Sequence, residues 1–252
     1  MCLIVFAWRP QHSVPLIVAA NRDEFYDRPS LPLGHWQDAP GVVGGIDLQG
    51  GGTWMAVTER GRFAALTNIR DPGAPTGSRS RGELPAQYLR GDLSPEAYLI
   101  EVSGFLEHYS GFNLLVGDRD ELWYLNSCEA TPRKLAAGVY GLSNAALDSP
   151  WPKLRRARAA LQGCLDTASC ETLLQLLSDP RTAEDEELPD TGVSQELERL
   201  LSSVFIASDD YGTRASTVII RHADGSTEVV ERSFDAKGPA GETRIVLPPF
   251  RD

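Results

Sequence analysis

Short runs of apolar and β-branched residues, separated by glycine-rich or polar connections, dominate the chain and are typical of strands. Residues 3–8 and 14–20 are two such runs joined by Arg-Pro-Gln-His-Ser, and together they predict a hairpin. The polar stretch 21–30 is predicted as a loop, because Pro29 and Pro32 exclude a helix there. Further strands are predicted on both sides of the Gly50-Gly51-Gly52 turn and in RFAALTNI, FNLLVG, ELWYLN, GVYGLSN, VFIAS, ASTVIIRH, STEVVERSF and TRIVLP.

Helical spacing of apolar residues begins later, and residues 70–85 are predicted as loop from their composition. A helix is predicted to begin at Ser94, because serine is a favourable N-cap and Pro95 fits the first helical turn. A second is predicted from Ser149, and two more in ETLLQLLS and SQELERLLSS. Strands and helices do not alternate regularly, which favours antiparallel pairing. The pattern therefore predicts one α+β domain over residues 1–252, with two stacked sheets and helices outside them.

Charge and length narrow the classes of function. The chain has 252 residues, with 24 Lys plus Arg against 35 Asp plus Glu and a net charge of −11. This balance argues against a general nucleic-acid binder and against docking on an anionic membrane. No apolar run approaches the roughly 20 residues of a membrane-spanning helix, so no membrane insertion is predicted. The first residues lack the basic stretch and apolar core of a signal peptide, which predicts a cytoplasmic location.

Cys2 is the candidate nucleophile. Small second residues permit removal of the initiator methionine, which would leave an α-amine beside the thiol. A terminal cysteine combines a soft nucleophile with an amine of pKa about 7.7–8 that serves as its own base. The alternative is a small apolar residue that opens a buried strand, and Cys2 alone favours this alternative. The other cysteines, Cys128, Cys164 and Cys170, are spaced neither as a zinc site nor as a disulfide framework.

The quartet Asn21, Arg22, Asp23 and Glu24 follows the second apolar run, so hairpin pairing brings it close to Cys2. Arg22 would favour the charged thiolate, and a carboxylate of the quartet would hold the α-amine. Asn21 and Glu24 are candidate substrate contacts. The alternative interpretation is a solvated turn with an internal ion pair worth at most about 1 kcal/mol.

Four further residues are candidates because they lie near predicted strand ends. Asn68 and Asn144 would donate to a developing oxyanion, an interaction worth roughly 3–4 kcal/mol when one donor is lost. Their alternative role is to cap a strand end. Arg214 would anchor an anionic substrate or orient Cys2, although a lone arginine in a loop is ordinarily a surface residue. Tyr211 in the same segment is a candidate substrate contact.

The sequence lacks the common motifs of other hydrolases, nucleotide-binding proteins and metalloproteins. The chain has no GxSxG, phosphate loop, HExxH or CxxC, and its four histidines lack metal-ligand spacing, so no metal site is predicted. A basic cluster is predicted to be a solvated helix face, with the alternative that it holds a phosphate or carboxylate. Its members are Lys153, Arg155, Arg156 and Arg158.

The chain resembles the NRDE-motif family, the proteins similar to transport and Golgi organisation protein two. The resemblance runs from residue 1 to about residue 220 and rests, in order, on MCLIVF, LIVAANRDEFYDRPS, GGTWMAV, GRFAALTNIRDP, GLSNAALDSPWPK and YGTRASTVII. It implies the fold of the N-terminal nucleophile (Ntn) hydrolases, a four-layer αββα sandwich of two stacked antiparallel sheets.

A more distant similarity to choloylglycine hydrolases and penicillin V acylases implies roles for individual residues. It makes Cys2 the nucleophile, Asn68 and Asn144 oxyanion contributors, and Arg214 an active-site arginine. Those amidases carry Arg-x-x-Asp after the second strand, whereas this chain has Asn-Arg-Asp-Glu. Either Arg22 and Asp23 act as a shifted pair, or the outer residues of the quartet hold the equivalent positions.

Two functions remain open. One is an N-terminal-cysteine hydrolase or acyltransferase acting on a C–N (amide) or thioester bond of a small acyl-bearing metabolite. The other is a non-catalytic carrier of haem or acyl-coenzyme A on the same scaffold, because the family is associated with haem trafficking and with lipid or acyl-coenzyme A handling. Both predict a small-molecule partner, and neither requires a cofactor, since haem would be a ligand.

Overall fold

A computed structural model describes residues 2–250 of the chain. Met1, whose removal the nucleophile hypothesis requires, lies outside the described residues, as do residues 251 and 252. The strands within the described range are β1 (Cys2–Trp8), β2 (Leu16–Phe25), β3 (Ser30–His35), β4 (Val42–Asp47), β5 (Met55–Thr58), β6 (Phe63–Asn68), β7 (Phe112–Gly117), β8 (Leu122–Asn126), β9 (Arg133–Lys134), β10 (Gly138–Leu142), β11 (Tyr211–Arg221), β12 (Thr227–Asp235) and β13 (Gly238–Leu247). The α-helices are α1 (Glu83–Arg90), α2 (Pro95–Ser103), α3 (Pro152–Cys164), α4 (Cys170–Leu176) and α5 (Gln195–Leu200).

The strands form two antiparallel sheets. Sheet A has the order β10-β1-β2-β11-β12-β13, and sheet B has the order β3-β4-β5-β6-β7-β8-β9. The predicted hairpin is β1 with β2, in which Cys2 lies opposite Arg22 and Leu3 lies opposite Asn21. Because β2 also pairs with β11, it is a central strand with neighbours on both sides.

Alternation along β1 produces the layers. Ile4 and Phe6 belong to an apolar cluster shared with sheet B, whereas Leu3 and Val5 pack with α3 and α4. Helices α1 and α2 cover the other face of sheet B. The sandwich is therefore helix, sheet, sheet, helix, and the predicted αββα fold is confirmed.

The prediction of a loop over residues 21–30 is wrong. Strand β2 continues through the whole polar quartet to Phe25, and β3 already begins at Ser30. A central strand can carry polar residues because its neighbours supply their hydrogen-bond partners. The polarity of the quartet therefore marks burial among polar partners and not exposure to solvent.

Three smaller predictions also need correction. Residues 70–85 include the start of α1, whose Leu84 and Tyr88 are buried against sheet B. The segment VFIAS forms no strand, and only Ala207 makes an isolated bridge. The helix predicted from Ser149 begins at Pro152, where proline fits the first helical position. The helix predicted from Ser94 is confirmed, with that serine as its N-cap.

Within residues 2–250, every helix is too short or too polar to cross a membrane.

Candidate functional site

Cys2 lines a cavity of about 390 Å³. The cavity is enclosed by the start of β1, the end of β2, the end of β6 and the segment 76–82. Its volume falls in the range of roughly 300–1,000 Å³ typical of small-molecule sites. The first residue of β1 therefore opens onto a space of the right size for a small substrate.

The period-two alternation of β2 divides the NRDE quartet between two faces. Ala19 packs with the helices and Ala20 packs toward sheet B. By the same alternation, Asn21 and Asp23 lie on the helix face, while Arg22 lies on the face toward sheet B. The side chains of this one motif therefore lie in two different environments, one facing the helices and one facing sheet B.

Asn21 is part of the architecture. Its side chain is 1% exposed, and its Nδ2 donates to the carbonyl oxygens of Leu177 at 2.9 Å and Val204 at 2.8 Å. Its Oδ1 accepts a bond of 2.7 Å from the Ser216 hydroxyl. Asn21 does not line the cavity. Instead of the expected substrate contact, it ties β2 to the chain segments that follow α4 and α5.

The backbone nitrogen of Cys2 is held by an amide network. It donates to Oδ1 of Asn144 at 3.4 Å, and Nδ2 of Asn144 donates to the carbonyl oxygen of Asn68 at 2.9 Å. The Ser143 hydroxyl donates to the Cys2 carbonyl oxygen at 2.8 Å. Asn144 therefore presents its acceptor to Cys2, whereas the predicted oxyanion role requires a donor. Asn68 lines the cavity, and its side chain forms no hydrogen bond with another described residue.

Asp23 lies beside Cys2 in a buried polar cluster on the helix face. The side chain is 1% exposed, and its Oδ1 accepts a bond of 2.8 Å from the Thr213 hydroxyl. The Tyr211 hydroxyl donates to the Asp23 backbone carbonyl at 3.1 Å. Tyr211 does not line the cavity, so its place is behind Asp23 and not at the predicted substrate contact.

Lys153 overturns a sequence prediction. The sequence predicts it on a solvated helix face with Arg155, but it is 1% exposed, whereas Arg155 is 62% exposed. Its Nζ forms no hydrogen bond with another residue of the 2–250 range. It interacts electrostatically with Asp23 and Cys2. The first turn of α3 thus places a buried cation at the site. In the sequence, Lys153 belongs to a basic cluster of the kind that is typical of a solvated helix face.

Burial controls the ionisation of this cluster. It raises the pKa of the Cys2 thiol, with a smaller opposing effect from Arg22. It also raises the pKa of the Asp23 carboxyl, which Lys153 opposes. Burial lowers the pKa of Lys153 to about 8. A neutral thiol at neutral pH needs a base before it can attack.

A buried ion pair between Arg70 and Glu198 supports the segment around Asn144. Nη1 of Arg70 lies 2.5 Å from Oε2 of Glu198, with the two side chains only 6% and 4% exposed. The Arg70 backbone nitrogen donates to the Asn144 carbonyl oxygen at 2.8 Å, and its guanidinium stacks 4.7 Å from the Trp151 ring centroid. Sequence patterns did not single out this pair, because its partners are far apart in the chain.

Asp47 organises the opposite wall of the cavity. Its Oδ2 accepts from Nη2 of Arg22 at 3.1 Å and from Nε of Arg28 at 2.8 Å. Glu24 also lines the cavity, and its Oε2 lies 3.8 Å from Nε of Arg28. Burial alone would raise the pKa of the Asp47 carboxyl, but the bonds from Arg28 and the Gly50 backbone hold it below its usual value.

We expect Asp47→Asn to lower the free energy of unfolding by about 1–2 kcal/mol at neutral pH, since charge-assisted bonds are lost. The folded-state pKa of Asp47 is depressed, so its stabilisation is present above the unfolded pKa and disappears as pH falls through the folded value. The difference between variant and wild type should therefore vanish in acid. Urea denaturation across pH measures it. Asp38→Asn is the control, because Asp38 forms only an exposed pair with Arg90.

Arg214 lies outside the Cys2 cavity. It is part of β11, beside the register shift between Thr213 and Ala215, and not in a loop. Its Nη1 donates to the carbonyl oxygens of Phe25 at 2.8 Å and Arg28 at 3.1 Å. The structure places this arginine where it supports the turn after β2.

The remaining candidates for metal or thiol chemistry are dispersed. Cys128 is exposed, Cys164 is half-buried and Cys170 is buried, and all are free thiols. No cluster of three or more His, Cys, Asp or Glu side chains with metal-binding geometry occurs within residues 2–250.

Comparison with solved structures agrees with this architecture. The crystal structure of the C2A mutant of the conjugated bile acid hydrolase from Clostridium perfringens matches with a TM-score of 0.55 at 9% identity, over 97% of this chain and 92% of that one. At this identity the likeness shows the fold alone, which is the four-layer αββα sandwich.

Sequence relatives cover nearly the whole chain. The Bos taurus Transport and Golgi organization protein 2 homolog is 36% identical over 266 residues, which is 95% of both proteins. The Homo sapiens homolog is 35% identical over 257 residues, which is 93% of both. The family profile described as Transport and Golgi organisation 2 matches residues 1–236. The chain therefore belongs to the Transport and Golgi organisation 2 family.

Proposed function

We propose that this protein is an N-terminal-cysteine hydrolase or acyltransferase that acts on an amide or thioester bond of a small acyl-bearing metabolite. The observation that carries the proposal is the position of Cys2, which lines the cavity. Its backbone nitrogen donates a hydrogen bond to Oδ1 of Asn144. Removal of Met1 would turn this nitrogen into a positioned α-amine. An α-amine of pKa about 7.7–8.0 is a suitable base for a thiol at neutral pH.

The first half of the reaction transfers the acyl group to the enzyme. The α-amine takes the thiol proton, and Sγ attacks the carbonyl carbon to form a tetrahedral oxyanion. Asn68 in the cavity wall is the donor for this oxyanion. The intermediate collapses as the carbonyl–nitrogen or carbonyl–sulfur bond breaks, and the leaving group takes the proton from the α-ammonium.

The second half releases the acyl group. Water, or an acyl acceptor in the transferase case, loses a proton to the α-amine and attacks the Cys2 thioester. Collapse of this intermediate returns the proton to Sγ and frees the product. Asp23 and Lys153 surround Cys2 with opposite charges, so the ammonium form of the amine has a buried counter-ion in Asp23.

The raised pKa of the half-buried Cys2 thiol supports this assignment of the base. A thiol that stays protonated at neutral pH reacts slowly unless a base is already in place. No histidine of residues 2–250 lines the cavity, whereas the α-amine would lie on the same residue as the thiol that it deprotonates. In the rival carrier function, Cys2 would be the residue of this lining available to a haem iron, since no histidine of residues 2–250 lines the cavity.

The test begins with the intact mass of the purified protein. The proposal predicts that Met1 is absent from the bulk of the material. A panel of small amides and acyl thioesters then serves as substrates, and Cys2→Ala is expected to lower turnover by about 10³-fold or more. Cys2→Ser supplies a matched control of similar size with a weaker nucleophile.

Two results would overturn the proposal. One is retention of Met1 in most of the purified protein. The other is turnover that survives Cys2→Ala. Binding of hemin or acyl-coenzyme A that persists in Cys2→Ala, with no turnover of any substrate by the wild type, would instead favour the carrier function.

A further inference from the structure

The segment 76–82, with the sequence TGSRSRG, is a fixed wall of the Cys2 cavity. The Gly77 nitrogen donates to the Ser110 hydroxyl at 2.8 Å, and the Thr53 nitrogen donates to the Gly82 carbonyl oxygen at 3.0 Å. Gly52 has a φ of +77°, and a side chain there would place its Cβ 2.0 Å from that same carbonyl oxygen. Close backbone contact on both sides therefore holds the wall in place.

Four arginines line the cavity, and three of them are neutralised by carboxylates. Arg22 and Arg28 share Asp47 at 3.1 Å and 2.8 Å. Arg79 lies 2.5 Å from Glu83. Arg81 is different, because no Asp or Glu of the described chain lies within ion-pair distance of it.

The guanidinium of Arg81 is nevertheless held in place. Its Nη1 donates to the Gly111 carbonyl oxygen at 3.1 Å, which leaves its other N–H groups without a protein acceptor. It is half-buried, and it interacts electrostatically with Cys2 and Glu24. A partly desolvated cation without a counter-ion favours binding of an anion.

We propose that Arg81 is the anion-binding residue of the Cys2 cavity, and that the ligand carries a carboxylate or phosphate group a few bonds from the atom that reaches Cys2. Both residues line the same cavity of about 390 Å³, so one small ligand can contact them together. The identification of this ligand as a substrate rests on the proposed function, whereas anion binding beside the thiol does not.

Two alkylating reagents of nearly equal size test the charge preference. Iodoacetate carries a carboxylate on the reacting carbon, and iodoacetamide is its neutral counterpart. Peptide mass spectrometry gives the rate at Cys2 for each, and exposed Cys128 in the same sample reports the intrinsic reactivity of the reagents. We expect the iodoacetate-to-iodoacetamide ratio at Cys2, divided by that at Cys128, to fall about 5- to 10-fold in Arg81→Gln.

Two variants make this result specific. Arg81→Lys keeps the charge and should preserve most of the ratio. Arg79→Gln removes an arginine of the same wall that already has a carboxylate partner, and it should leave the ratio within about 2-fold of wild type. The proposal is overturned if Arg81→Gln leaves the ratio unchanged, or if Arg79→Gln lowers it equally.

A second measurement uses only the wild-type protein, in case Arg81→Gln does not fold. Inorganic phosphate or acetate, at constant ionic strength set with chloride, should slow iodoacetamide labelling of Cys2 but not of Cys128. Protection by phosphate alone identifies a phosphate site, and protection by acetate identifies a carboxylate site. Equal labelling in both anions and in chloride overturns the proposal. None of these readouts requires turnover or removal of Met1, so failure of the hydrolase proposal is distinguishable from failure of this one.

Discussion

Replacing Asn21 by leucine is expected to lower the free energy of unfolding by about 3–5 kcal/mol. The variant removes both donors and the acceptor of a buried amide, and leaves Leu177, Val204 and Ser216 with unpaired polar groups. Each unsatisfied buried group costs about 1–3 kcal/mol, and leucine restores only apolar contact. Urea unfolding followed by tryptophan fluorescence measures the change.

Glu24→Gln is the control from the same motif. Glu24 bonds locally to the Phe25 nitrogen and lies 3.8 Å from Arg28, so we expect its variant within about 0.5 kcal/mol of wild type. The two outer residues of the quartet should therefore differ strongly in their effect on stability. A loss below about 1 kcal/mol in Asn21→Leu would contradict the architectural role assigned to this residue.

This contrast explains what the quartet does as a unit. Alternation along β2 sends Asn21 and Asp23 into the helix layer and Arg22 toward sheet B. Asn21 fixes the layers, Asp23 supplies a buried carboxylate near Cys2, and Arg22 joins Asp47 in the cavity wall. The motif therefore combines structural and site residues.

The strands and their pairing were largely predictable because β1 and β2 show continuous apolar runs with turn residues between them. The extent of β2 is not predictable from the sequence, because a run of polar residues next to prolines is typical of a loop. Their partners, Thr213 and Ser216, lie about 190 residues later in the chain on β11. Nothing local in the sequence indicates that such partners exist.

The positions of several predicted site residues differ from expectation for a related reason. Proximity of the quartet to Cys2 followed from the hairpin register, and the structure brings Arg22 opposite Cys2. The hairpin register does not predict which side-chain atom of Asn144 faces Cys2. The nitrogen of Asn144 donates to the Asn68 carbonyl oxygen, so its oxygen faces Cys2. The composition of residues 70–85 predicts only a loop and does not single out Arg81.

Lys153→Met is expected to slow iodoacetamide labelling of Cys2 at neutral pH, since a nearby cation favours the thiolate. Lys153 is a positioning residue in this account, because it faces Asp23, Arg70, Cys2 and Glu198 and acts through their charges. Methionine keeps the unbranched shape and removes the ammonium group. Labelling followed across pH by peptide mass spectrometry should show the Cys2 thiol titrating at a higher pH in the variant, with Cys128 unchanged.

The pH dependence of stability gives an independent readout with a defined sign. The folded-state pKa of Lys153, about 8, lies below its ordinary value of 10.5, so between these values the unfolded chain binds more protons. Wild-type stability therefore gains an increment from Lys153 as pH rises from about 8 toward 10.5, and Lys153→Met should lack it. Arg155→Met is the matched control, because Arg155 lies in the same helix and pairs with Glu187 at the surface. A variant that keeps both the wild-type labelling profile and this increment would show that Lys153 does not influence Cys2.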